Sequence, residues 1–194
     1  SPATEIDVND AGFVAAHRLV GEVAAGRPVV LQEGDRRVMA APLDGGQVLS
    51  DTVAISAPRA GYMGLVARPT LVRLPAADRA ALMALASGEG GLPGGAETRA
   101  GGAVASAATE LAKLAERLPA MTVSQIARPP SGVLEADVSD VLSFRGRLAA
   151  TVRPVASAQV PLAAGATAQV TAFRDAVGGS VSAVAVGTPE PGAL

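Results

Sequence analysis

Gly26-Arg27-Pro28-Val29-Val30-Leu31-Gln32-Glu33-Gly34-Asp35-Arg36-Arg37-Val38-Met39-Ala40-Ala41 decides how the chain begins to fold. Pro28-Val29-Val30-Leu31 is a short apolar run, the pattern of a buried strand. Glu33-Gly34-Asp35 makes a tight turn, and residues 36–41 return as a second strand, so the pair reads as a hairpin. Gly26 stands where a preceding helix must stop, because glycine takes the left-handed conformation there without steric cost. That helix opens at Asn9-Asp10, which supplies an N-cap, and carries Phe13, Ala16, Val20 and Val23 at helical spacing. Residues 1–8 read as a frayed start.

Downstream, residues 48–58 read as a short helix capped by Ser50 or Asp51, and 64–67 as a strand. Pro75 opens a helix through Leu82, Leu85 and Ala86. Residues 87–95 are glycine-rich and read as the most flexible stretch. Residues 104–118 form the clearest helix, with Leu111, Leu114 and Leu118 on one stripe. A strand at 121–126 and a short helix at 139–147, with Val141, Leu142 and Phe144 inward, follow. In the tail, 151–155, 166–173 and 181–186 read as strands, with Gly178-Gly179 as a hairpin turn. The expected architecture is α/β (α+β): a layered mixed sheet covered by helices over 10–150, then a small C-terminal β extension. Tail strands with an incomplete core should pair with the first domain or with another subunit.

The chain has 194 residues, 49% of them hydrophobic and 18% charged, with a net charge of −2. That suffices for one core, or one core with a small appended domain, and excludes disorder. No apolar stretch is long enough to cross a bilayer, and no charged n-region precedes an apolar run, so a cytoplasmic protein with no membrane association is expected. There is no cysteine, which removes disulfides and thiolate chemistry. Near-neutral charge and only four aromatic residues, Phe13, Tyr62, Phe144 and Phe173, argue against nucleic acid as a partner. Lys113 is the single lysine; the bias to Arg, Ala and Gly suggests a GC-rich bacterial genome.

Few groups can carry chemistry. His17 is the only imidazole, beside Arg18 and off the apolar stripe of its helix, and reads as a surface or boundary residue. Glu33-Gly34-Asp35-Arg36-Arg37 could offer carboxylates to Mg²⁺, but the adjacent arginines neutralise them, and a solvated hairpin tip is the simpler reading. Glu97-Thr98-Arg99-Ala100-Gly101-Gly102-Ala103 leads into the start of a helix. Backbone N–H groups there, with Arg99, can hold an anion, and Arg99, Gly101 and Gly102 are the candidate phosphate-binding residues. No dinucleotide fingerprint follows a strand, and Lys113 lies too deep in a helix for a phosphate loop.

Residues 26–35, Gly-Arg-Pro-Val-Val-Leu-Gln-Glu-Gly-Asp, resemble the opening of the 3,4-dihydroxy-2-butanone 4-phosphate (DHBP) synthase family, where a helix precedes a Gly-x-Pro-Val-Val strand and an acidic loop. Residues 97–118 are similar to that family's Arg-x-Gly-His-Thr-Glu-Ala segment and its helix. The tail from Val152 through Gly187, centred on Ala172-Phe173-Arg174-Asp175 and Gly178-Gly179, resembles the opening of GTP cyclohydrolase II. The two enzymes are often fused in this order in riboflavin biosynthesis.

The resemblance implies a synthase-like domain over 1–150, the start of a cyclohydrolase-like β segment over 151–194, a homodimer, and Arg99 flanking a sugar-phosphate site. It also implies lost chemistry. The acidic loop is cut to Glu33-Gly34-Asp35. The family's His, Thr and Glu fall on Gly102, Ala103 and Val104, which supply no metal ligand or acid–base group. The cyclohydrolase's zinc cysteines come after the matched segment. The expectation is a degenerate, noncatalytic scaffold, dimerisation or regulatory module with no catalytic residue, metal or cofactor, and a riboflavin-pathway enzyme or a sugar phosphate as partner. The alternative is the N-terminal portion of an active GTP cyclohydrolase II whose zinc site lies beyond residue 194.

Overall fold

The computed structural model describes residues 10–187, so the frayed start read at 1–8 lies outside the described residues. Helix α1, Ala11–Ala24, starts at Asp10, whose carboxylate accepts the Phe13 N–H at 3.0 Å. Its buried stripe is Phe13, Ala16, Leu19 and Val23; Leu19 takes the inward place expected of Val20. The helix ends in a Schellman turn. Gly26, at φ +79°, donates to the Val23 carbonyl, and Arg27 donates to that of Glu22, both at 2.9 Å. Strands β1, Val29–Glu33, and β2, Arg36–Pro42, then form the expected hairpin, with Val29 opposite Ala40 and Glu33 opposite Arg36.

Residues 48–58 do not form one helix. They hold strand β3, Thr52–Ile55, and the start of helix α2, Ala57–Tyr62. Val53 and Ile55 are fully buried, and β-branched side chains favour such a pleated, packed surface over a helix. Pro58 then sits in the first turn of α2, where its missing N–H is harmless. The strand expected at 64–67 is instead a turn, with Gly64 N–H donating to Gly61 at 3.0 Å. The buried run lies past Pro69, in β4, Thr70–Arg73.

Helix α3, Arg79–Ser87, begins four residues after Pro75 because Asp78 caps it, accepting from Ala81 N–H at 2.8 Å. Residues expected to be loop form a further strand, β5, Glu97–Ala100. Helix α4, Gly102–Leu114, stops a turn before Leu118. Glu116 takes φ +55°, and Arg117 N–H reaches back to the Ala112 carbonyl at 2.8 Å, closing the helix. Strand β6, Ala120–Ile126, was legible; the three-residue β7, Glu135–Asp137, was not. Helix α5, Val138–Ala149, buries Val141 and Phe144 but leaves Leu142 42% exposed, against expectation.

The seven strands run β5-β4-β3-β6-β2-β1-β7, antiparallel throughout except for the parallel pair β1–β7. Alternation puts Val53, Ile55 and Val72 on one face, where they pack with Ala60 of α2, Met63 just past its end, and Leu82 and Leu85 of α3. The opposite face carries Leu31, Val38, Ala40, Ala54 and Met121, all buried, and α1 and α4 pack there against each other and the sheet. The result is the expected mixed α/β architecture in three layers.

The described residues fall into two compact units, 10–144 and 145–187, dividing inside α5. In the second, β8, Arg153–Pro161, β9, Thr167–Arg174, and β10, Ser180–Val186, form a separate antiparallel sheet in the order β10-β9-β8. Among the described residues the tail strands pair with one another in a sheet of their own. The turn explains this: Asp175 accepts N–H bonds from Val177 at 3.0 Å and Gly179 at 2.8 Å, which closes β9 onto β10 locally. No helix among the described residues is long and apolar enough to cross a membrane.

Candidate anion site at the start of α4

Strand β5 is the outer edge of the large sheet, and its register decides where Arg99 points. Leu71 lies opposite Arg99, and Arg73 opposite both Thr52 and Glu97. Thr52, Leu71, Arg73, Glu97 and Arg99 therefore share the face on which α4 lies. They border a depression of about 270 Å³. An adjoining one of about 180 Å³ is lined by Arg99, Thr52 and Leu71 again, by Arg36 and Val38 of β2, by Ser50 and Gln125, and by Val104 in the first turn of α4. Two guanidiniums from distant strands thus open onto the region where α4 begins.

Charge within this region is unevenly distributed. Arg73 is held by two carboxylates, Asp51 at 3.1 Å and Glu97 at 3.3 Å. The hydrogen bond to Glu97, supported by the charges of Asp51 and Glu97, keeps the Arg73 guanidinium above its already high ordinary pKa. Arg36 pairs loosely with Glu33 at 3.9 Å. Arg99 is exposed and makes no ion pair or side-chain hydrogen bond with a described residue. Ser50 is anchored, its hydroxyl donating to the Val123 carbonyl at 2.6 Å.

The two glycines play different parts. Gly101 is the N-cap residue, and its own N–H donates to the Pro69 carbonyl at 3.0 Å. A Cβ at Gly101 would collide with the Ala105 methyl group and crowd the Pro69 carbonyl, so glycine is needed there for packing. Gly102 takes φ +58°, a left-handed turn that feeds the helix. No side chain caps α4, so the amides that open the helix at Gly102, Ala103 and Val104 have no intrahelical acceptor. A guanidinium beside such amides favours an anion through both charge and hydrogen bonding.

The other candidates separate. Arg37 leaves the hairpin on the opposite sheet face and pairs with Glu135 at 2.8 Å, while Arg36 turns to the depression. His17 is exposed and stacks on Phe144, with ring centroids 6.1 Å apart; Phe144 in turn tilts against Phe13 at 4.8 Å. Among the described residues, no three His, Asp or Glu side chains converge as a metal site. Sequence reasoning missed Arg36, Ser50, Thr52 and Gln125. Strand parity would have flagged Arg36, two residues before the buried Val38, but Thr52 required recognising β3.

Fold and site together define a mixed-sheet α/β domain with, at a helix start, an arginine that pairs with no described residue. No protein-family profile matches the chain, and no curated protein does. Among solved structures, the chain is similar to RibBX, a two domain 3,4-dihydroxy-2-butanone 4-phosphate synthase from A. baumannii, at 14% identity and a TM-score of 0.49. That superposition covers 90% of this chain and 70% of the other. A likeness of this extent decides nothing about activity, and the fold assignment rests on the topology itself.

Proposed function

We propose that the chain is a noncatalytic, DHBP synthase-like module of riboflavin biosynthesis that holds a small anion, a phosphate or sugar phosphate, at Arg99. It serves as a scaffold or regulatory domain in a homodimer. The observation that carries the reading is the Arg99 guanidinium, which pairs with no described residue, beside the uncapped start of α4, with Arg36 lining the same depression. The anion is held by Arg99 and the amides of Gly102 to Val104; Gly101 contributes by shaping the turn. Ala103 and Val104 offer no hydroxyl, carboxylate or imidazole, so these positions bind charge without moving a proton. With few contacts and an open site, the affinity is millimolar, on the order of 4 kcal/mol.

The experiment is a titration of the protein with inorganic phosphate and, separately, ribulose 5-phosphate, followed by backbone amide shifts, with a parallel turnover assay. Saturable shifts at residues 99–104 without product support the reading. Absence of shifts there removes the anion site, and turnover of ribulose 5-phosphate removes the noncatalytic assignment.

A further inference from the structure

The three-stranded sheet β10-β9-β8 has two edges, and they are built differently. On β8, Pro154 and Pro161 each lack an N–H, and the register slips between Pro154 and Ala156. Prolines and bulges are the devices that stop an edge strand from recruiting another strand. On β10 there is none of this. Ser180 to Val186 pair with β9 in an unbroken register over seven residues, and the strand Ser-Val-Ser-Ala-Val-Ala-Val has neither proline nor charge. Val181, Val184 and Val186 are 59, 65 and 61% exposed.

The hydrogen-bond phase of β10 is set by its turn. Asp175 N–H donates to the Gly179 carbonyl at 3.0 Å, so the pairs alternate from there. Val181, Ala183 and Ala185 bond inward to β9, while the amides and carbonyls of Ser180, Ser182, Val184 and Val186 turn to the other side, where no described strand pairs with them. A three-stranded sheet whose two outer strands are almost wholly exposed is marginal on its own, and an added strand would stabilise it.

We propose that β10 is an interface strand whose occupant is β10 of a second copy, paired antiparallel about a two-fold axis at Ala183. Three features select a second copy over an unrelated strand. Symmetry about Ala183 sets Ser182 opposite Val184 and Ser180 opposite Val186, so each outward amide meets an outward carbonyl; a centre one residue away keeps this phase but leaves two strand residues without a partner, and a shift of half a residue breaks it. All seven residues are used. No charge is present on either strand, so self-pairing brings no like charges together. The inference assigns a surface to the homodimer of the proposed function and is independent of the anion site.

The test uses the full chain, which has no cysteine of its own. Ala183→Cys places two thiols opposite each other at the axis, in a non-hydrogen-bonded pair whose Cα separation of about 4.5 Å suits a disulfide. Oxidised Ala183→Cys should yield a covalent dimer on a nonreducing gel, while Ala158→Cys on β8 should not. Sedimentation at micromolar concentration should give twice the 19.1 kDa chain mass, and Val184→Lys should reduce it to the monomer with an unchanged circular dichroism spectrum. Val184→Pro, which removes an outward N–H but no bond to β9, should do the same. A monomeric wild-type chain, or equal cross-linking by Ala183→Cys and Ala158→Cys, overturns the proposal. A dimer that survives both Val184 variants overturns it too, while leaving a homodimer joined elsewhere.

Discussion

Arg73 and Arg99 lie on one sheet face in adjacent strands, yet Arg73 holds both neighbouring carboxylates and Arg99 holds none. Glu97 is two residues from Arg99 on the same strand face, so it is the natural partner for either guanidinium. Its commitment to Arg73 leaves Arg99 open to an external anion. Arg73→Met should therefore weaken phosphate binding about three- to tenfold, because Glu97 is freed to pair with Arg99. Stability should change by less than about 1 kcal/mol, as the ion pairs are solvent-exposed. The dissociation constant from amide shifts and the urea midpoint check the two halves separately.

Phe144 anchors α5 against α1 through Phe13 and is nearly fully buried. Phe144→Ala should destabilise the protein by about 3–5 kcal/mol, by lost burial and the cavity left behind. His17→Ala, which removes only an exposed ring from the same stack, should cost less than about 1 kcal/mol. Denaturant melts of the two variants give the contrast directly.

Asp137 caps α5, its carboxylate accepting from both the hydroxyl and the backbone N–H of Ser139 at 2.7 and 2.8 Å. The hydroxyl bond first, then the backbone bond, holds its pKa below the ordinary carboxylate value. The folded-state pKa is thus depressed relative to the unfolded chain. Its stabilisation is complete above the unfolded pKa and is lost as pH falls through the folded one. Asp137→Asn should lower stability at neutral pH and converge on the wild type in acid. Urea midpoints at several pH values test this.

Gly101→Ala should destabilise the chain by about 1–3 kcal/mol, since the added methyl collides with Ala105 and crowds the Pro69 carbonyl. Gly102→Ala should carry the milder strain of a left-handed φ, about 1 kcal/mol. Thermal melts rank the two.

Much of the fold was legible where local chemistry and burial agree. Asp10, Gly26 and the Glu33-Gly34-Asp35 turn each specify their geometry from a few neighbouring residues, and the first helix and hairpin follow. The misread segments are those whose state is set by distant partners. Val53 and Ile55 are strand residues because β4 and β6 flank them, and β5 exists because β4 offers an edge to four polar-flanked residues. Glu135 to Asp137 pair only with β1, a hundred residues away in the chain. For the site, Arg99 and the glycines were visible as a motif. Arg36 was not, because its place depends on the parity of β2 and on β3 and β6 bringing Thr52 and Gln125 alongside.

On the proposed function, Arg99 and the start of α4 hold an anion. Titration of inorganic phosphate into the wild-type chain and into Arg99→Ala and Arg99→Lys, followed by amide shifts at Gly102, Ala103 and Val104, tests it most directly. Expected are saturable millimolar binding in the wild type, loss of about tenfold or more in Arg99→Ala, and partial retention in Arg99→Lys, which keeps the charge without the fork of donors. Equal shifts in the wild type and Arg99→Ala, or none at these three amides in the wild type, would contradict it.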